Sequence, residues 1–207
     1  MSITLTTNLT NVNPKMTVWL PKLEHWIIWA SIDGLGDRTE YIRYPSNFQK
    51  VCDNLNFYKK LLESNNGRIV LSPAIQLLNI DQLDEILRWW LDFSGGKLNR
   101  YYGISWMAQV WYPTICNYDI LPIEYRRKVA DKLERSLEYF QPHGQLIEFY
   151  KNQIENLRKE SLYSSEQMKH FQKAFIKYND TQDRHRKGKT WRQLMPALED
   201  ALTKSLN

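Results

Sequence analysis

A chain of 207 residues is long enough to bury a sizeable core as one domain. With 43% hydrophobic and 25% charged residues it has the balance of an ordinary globular protein, and no apolar run is long enough to span a membrane. The net charge of +5 is a mild excess concentrated late in the chain, and two cysteines, Cys52 and Cys116, are too few for a disulfide framework or an all-cysteine metal site. The N-terminus has no basic region followed by an apolar one, so no signal peptide is read there, and the expected setting is cytoplasmic.

Residues 3–10 alternate strictly and predict a strand, with Ile3, Leu5, Thr7 and Leu9 on one face and Thr4, Thr6, Asn8 and Thr10 on the other. A helix is expected from Pro14 to His25. The second strand organises the rest. The apolar run Trp26 to Ala30 ends in Ser31-Ile32-Asp33-Gly34, and the polar residues Asp37, Arg38, Glu40 and Arg43 follow. Ile28, Ala30 and Ile32 share one face; Trp29, Ser31 and Asp33 share the other. Parallel sheets place ligands at such C-terminal strand ends. A plain turn in which Gly34 and Gly36 supply positive φ accounts for the same residues.

A helix is expected from Pro45 to Ser64, with Phe48, Val51, Leu55, Tyr58 and Leu62 as its buried stripe. Residues 68–76 predict the third strand, which Pro73 interrupts with a bulge or an unpaired position. A helix then carries Asp81 and Glu85 in its first turn and Ile86, Leu87, Trp90 and Leu91 behind. Residues 101–111 predict the fourth strand, with Gly103, Ser105, Met107 and Gln109 on its less apolar face. After Pro122 the pattern is helical, at about 122–139, 144–160, 164–179 and 190–206, with a loop from Thr181 to Lys189. Pro196 predicts a kink or a later helix start.

The order is β-α-β-α-β-α-β followed by helices, which predicts an α/β fold with a parallel sheet. A sheet with one apolar face and one small or polar face (Thr6, Asn8, Ser31, Asp33, Ser72, Gln76, Ser105, Gln109) suits a partial barrel around a polar ligand. A sheet with one wet face is the simpler alternative. The expected organisation is a partial (β/α) barrel of about four parallel strands over 1–121 and an all-helical C-terminal extension over 122–207.

The strand end Ser31-Ile32-Asp33-Gly34 followed by Glu40-Tyr41-Ile42-Arg43-Tyr44-Pro45 resembles the fourth strand and loop of radical S-adenosylmethionine (radical SAM) proteins with a twitch-type C-terminal extension. Thr7-Asn8-Leu9-Thr10 resembles their third strand, and Gln76-Leu77-Leu78-Asn79 the exit of their fifth. Asp183-Arg184 through Trp191 to Met195-Pro196-Ala197-Leu198 is similar to the basic loop and following helix near the end of such proteins, with Ala197 where glutamate is expected. The resemblance covers most of the chain. The departure is that the family's CxxxCxxC motif and its glycine-rich motif have no counterpart here, and three thiolates are needed for the cluster.

The resemblance implies S-adenosylmethionine as cofactor. Asn8, Ser31, Asp33, Arg43, Gln76 and Asn79 would line its site and Met107 would pack on the adenine, with Arg43 matching the carboxylate. Which residues would be catalytic is left unassigned. The [4Fe-4S] cluster is expected only on a missing N-terminal part or a partner, so the chain alone is expected to be inactive. Three origins stay open: half of a split enzyme, a degenerate remnant, or a misplaced start. A first strand with no outer neighbour predicts self-association or docking of a cluster-bearing half along residues 3–9; a C-terminal helix covering that edge is the alternative. The rival function is a non-catalytic binding module that contacts nucleic acid through the basic run Arg184 to Lys189, for which a solvated loop is the simpler reading.

Overall fold

The computed structural model describes residues 1–62, 67–105 and 109–207. Four strands, β1 (Ser2–Thr7), β2 (His25–Ala30), β3 (Gly67–Leu71) and β4 (Tyr102–Ile104), form one parallel sheet in the order β1-β2-β3-β4. The helices are α1 (Pro14–Trp19), α2 (Asp37–Ile42), α3 (Phe48–Leu62), α4 (Leu83–Phe93), α5 (Ile123–Arg135), α6 (Leu137–Phe140), α7 (Gly144–Arg158), α8 (Ser165–His185), α9 (Trp191–Leu194) and α10 (Pro196–Leu206). The chain is therefore α/β and mostly helical. It divides into two compact units, Met1–Ala74 with Glu85–Ala108, and Ile75–Asp84 with Gln109–Asn207.

The first unit contains the sheet. Its registers put Leu5, Ile28, Ile69 and Tyr102 in one row and Thr6, Trp29, Val70 and Gly103 in the next, so the rows alternate between the two faces. Trp26, Ile28, Ala30, Ile69 and Leu71 are buried on one face. On the other, Thr4, Thr6 and Arg68 are exposed, and Ile27 and Trp29 are half-buried. Chain order and spatial order coincide, so right-handed crossovers carry all the connecting helices to the same face. That geometry gives the sheet its apolar and its open side. The strand faces agree with those expected from alternation.

Several boundaries differ from the expected ones. The helix from Pro14 is α-helical only to Trp19 and closes in a short 3-10 turn, Leu20–Lys22, where Pro21 offers no N–H to continue the ladder. The fourth strand pairs only over Tyr102–Ile104, and part of its expected length, residues 106–108, lies outside the described residues. The third strand stops at Leu71, ahead of Pro73. Beyond that proline Ile75 makes an isolated parallel bridge with Gln109 in the second unit.

The segment read as polar loop, Asp37–Ile42, is helix α2, with Gly36 at φ 55 as its N-cap and Asp37 and Glu40 in its first turn, where negative charge is stabilised. Glu40 also accepts the Phe48 N–H at 2.8 Å, at the start of α3. The expected stripe of α3 is buried at Val51, Leu55, Tyr58 and Leu62, while Phe48 is half-buried and meets Trp89 at 5.7 Å. Trp90, Phe93 and Tyr102 form an aromatic cluster beneath the sheet's last strand, with the Lys59 ammonium 4.7 Å from the Phe93 ring centroid.

The second unit is helical apart from its bridge. α8 continues through Arg184 and His185, residues expected in a loop, because a capping box of Ser164 with Gln167 starts it and positive charge in its last turn suits the helix macrodipole. The last helix is broken at Met195, as Pro196 requires: α9 ends at Leu194 and α10 starts on the proline.

Candidate functional site

β1 and β2 end side by side. The Ser31 N–H donates to the Thr7 carbonyl at 2.9 Å, extending their pairing by one step, which places Asn8 and Ser31 at neighbouring strand ends. Leu9 then turns the chain with φ 58, an uncommon conformation for a residue with a Cβ. It is fully buried, its N–H donates to Thr7 Oγ1 at 3.0 Å, and its carbonyl accepts Asn54 Nδ2 of α3 at 2.6 Å. Asn8 is exposed and its Oδ1 accepts from the Thr10 N–H at 3.2 Å and the Thr10 hydroxyl at 2.8 Å, leaving its amide NH2 as the outward donor.

Asp33 lies beyond the end of β2 and is buried. Its Oδ1 accepts the Ala74 N–H at 2.8 Å and its Oδ2 meets an Arg43 Nη2 at 2.7 Å. Burial pushes the Asp33 carboxyl above its ordinary range, with Arg43 and the Ala74 N–H pulling it down. Arg43 sits at the C-cap of α2, its side chain a quarter exposed. Its Nε is buried without a hydrogen-bond acceptor. The pair thus fixes a guanidinium at the C-terminal end of the sheet and leaves one of its donors unmatched, an arrangement suited to a carboxylate or another planar oxyanion.

Of the residues expected to line one site, Asn8, Ser31, Asp33 and Arg43 fall in the first unit. Gln76 and Asn79 fall in the second. There the Asn79 Oδ1 accepts the Gln76 N–H at 2.8 Å and the Asn79 N–H donates to the Gln76 carbonyl at 3.1 Å. Asn79 is fully buried, so its side chain closes that turn. Met107 lies outside the described residues.

Cys52 and Cys116 are free, half-buried and in different units, and burial pushes both thiols up, away from the thiolate that binds metal. Among the described residues no group of three or more His, Cys, Asp and Glu could hold a metal ion. The residues present therefore do not fit an iron–sulfur cluster, whereas the unmatched Arg43 donor fits the carboxylate end of an amino-acid-bearing cofactor.

The C-terminal segment from Asp180 to Glu199 is a clamp within the second unit. The Trp191 indole N–H donates to Asp180 Oδ1 at 2.9 Å, Arg192 pairs with both Asp180 oxygens, and Arg192 Nε reaches Glu199 at 2.9 Å. Trp191 is buried with its ring edge-on to Phe175 at 5.4 Å. The Arg192 hydrogen bonds hold the Asp180 carboxyl below its ordinary range; burial opposes them, and the Trp191 N–H and the Arg184 charge add to the lowering. A carboxyl so depressed contributes stability above its unfolded pKa of about 3.9 and loses that contribution as pH falls through the lower folded value. Urea midpoints measured between about pH 5 and about pH 2.5 are expected to fall more steeply in the parent than in Asp180→Asn. Equal slopes would show that the pair does not couple to folding.

The buried pair Asp119–Arg126 was not expected from the sequence. Arg126 is fully buried; its Nη1 meets Asp119 Oδ1 at 2.6 Å and its Nη2 donates to the Lys159 carbonyl at 2.7 Å. Asp119 Oδ2 accepts the Leu162 N–H at 2.8 Å. The one visible signal was an arginine at an inward position of α5, between Tyr125 and Val129.

No protein-family model, curated protein or solved structure matches the chain. Among the described residues no helix is long and apolar enough to cross a membrane.

Proposed function

We propose that the chain is the cofactor- and substrate-side portion of a radical SAM enzyme, its sheet forming part of a (β/α) barrel and its iron–sulfur cluster held outside this sequence. The observation that carries the reading is the Arg43 guanidinium, anchored by buried Asp33 at the C-terminal end of the sheet with its Nε unmatched. The single direction of the strand order supports it, because barrel-type sheets are wound one way and bind at their C-terminal ends. In this reading Arg43 binds the carboxylate of S-adenosylmethionine. Ser31 and the Asn8 amide supply neighbouring hydrogen bonds, and Asp33 keeps the guanidinium in place. An iron–sulfur cluster held outside this sequence would supply the electron for cleavage, and this chain would orient the molecule to be cleaved.

Isothermal titration of S-adenosylmethionine into the purified chain tests this. Binding is expected in the parent and is expected to weaken by about 2 kcal/mol or more in Arg43→Gln, since a charged hydrogen-bond partner is lost. Asp33→Asn should weaken binding less. Thermal melts of the same samples separate lost binding from lost fold. A well-folded parent that takes up no S-adenosylmethionine overturns the reading.

A further inference from the structure

The open face of the sheet carries a cation that no carboxylate among the described residues neutralises. Arg68 on β3 is exposed, and none of the carboxylates among the described residues pairs with it. Its side chain runs along the sheet and across to β4. A Cβ built on Gly103 would stand 2.6 Å from Arg68 Nη2 and 3.2 Å from both Cζ and Nε. The guanidinium therefore lies directly over the Gly103 backbone, in space that exists only because residue 103 has no side chain. Gly103 has no positive φ, so the glycine is required here for room and not for backbone conformation.

The row of Gly103 on this face contains a second unmatched donor. Thr6, Trp29, Val70 and Gly103 are register partners across the four strands. The Trp29 indole Nε1 is buried and has no acceptor. The neighbouring row contributes Thr4, Ile27 and Arg68 itself. Neither row holds an acidic residue. The face thus offers a guanidinium, an indole N–H and threonine hydroxyls around an apolar floor of Ile27 and Val70. Donors in excess over acceptors, with a positive charge that no described carboxylate pairs, select an oxyanion. A guanidinium prefers carboxylate or phosphate, whose paired oxygens match its fork.

We propose that this face binds the oxyanion of a carboxylate- or phosphate-bearing small molecule on Arg68, whose guanidinium is seated in the space that Gly103 leaves over β4, with the Trp29 indole N–H as a second donor. That this molecule is the enzyme's substrate rests on the function proposed above; the oxyanion site itself rests on the sheet alone.

The test uses the indole N–H resonances of the full chain, with Trp29 assigned through Trp29→Phe. Inorganic phosphate and acetate are titrated separately against chloride at constant ionic strength. The Trp29 resonance is expected to move saturably, at millimolar concentration, with one of the two, and which one distinguishes the phosphate from the carboxylate source. Arg68→Gln should weaken the response by about tenfold or more. Gly103→Ala, which keeps the charge but pushes the guanidinium off its seat over β4, should weaken it as well. A Trp29 resonance that neither anion moves, or that moves alike in the parent and in Arg68→Gln, overturns the proposal. S-adenosylmethionine is titrated into the same samples. A Trp29 response without cofactor binding leaves the oxyanion site standing and removes only its assignment to a radical enzyme's substrate.

Discussion

Arg126→Ala is expected to lower the unfolding free energy by about 3–5 kcal/mol, the largest single effect in the chain. The arginine is fully buried and its removal leaves the Asp119 carboxylate, itself nearly buried, without its counter-charge. It also leaves the Lys159 carbonyl without its Arg126 donor. Burial pulls the Arg126 guanidinium below its ordinary range and the Asp119 charge holds it up, so the pair survives only as a pair. The double variant Asp119→Asn/Arg126→Met should therefore be more stable than Arg126→Ala, because no buried charge remains and the Leu162 N–H keeps an oxygen acceptor. Urea unfolding of the three proteins measures this. A double variant as unstable as Arg126→Ala would show that packing, not charge, sets the cost.

Gly67→Ala should destabilise the first unit by about 3 kcal/mol, the upper end of the usual overpacking cost. Trp26 on β2 faces Gly67 on β3 as its register partner, and the indole lies across the glycine. An added Cβ would stand 2.1, 2.2 and 2.5 Å from three atoms of that ring. Trp26 is buried and its ring is rigid, so it cannot give way as a flexible side chain could. A double-mutant cycle with Trp26→Leu measures the clash, because the smaller side chain frees the space. The double variant should be less destabilised than the sum of the singles; simple additivity would mean that the indole does not limit residue 67.

These two sites also mark where the sequence was and was not informative. The faces of the sheet were legible because alternation with period two depends only on strand geometry, so Ile28 with Ile69 and Thr6 with Trp29 could be grouped without any contact being known. The stripe of α3 was legible for the matching reason at helical period. Helix α2 was not, since Asp37 to Arg43 has the composition of a ligand loop and its helical state depends on Gly36 and on the tie between Glu40 and Phe48. The Asp33–Arg43 contact was partly legible. Both residues stood out as polar groups following a buried strand, but that they bind each other depends on where α2 ends. The Asp119–Arg126 pair could not be read, because its partners Lys159 and Leu162 come from more than thirty residues away. Gly67 gave no sign either, since nothing local tells a glycine that makes room for an indole from one that ends a turn.

The chain passes between its two units three times, at Ala74–Ile75, at Asp84–Glu85 and at Ala108–Gln109. No single cut can therefore yield either unit whole. A fragment ending at Ala74 lacks all of α4 and β4, and one beginning at Gln109 lacks the Gln76–Asn79 turn and the bridge partner Ile75. The ten residues Ile75–Asp84 belong by contact to a unit whose remaining residues begin at Gln109. During synthesis they emerge well before it, so the contacts that assign them to this unit form only after it has followed.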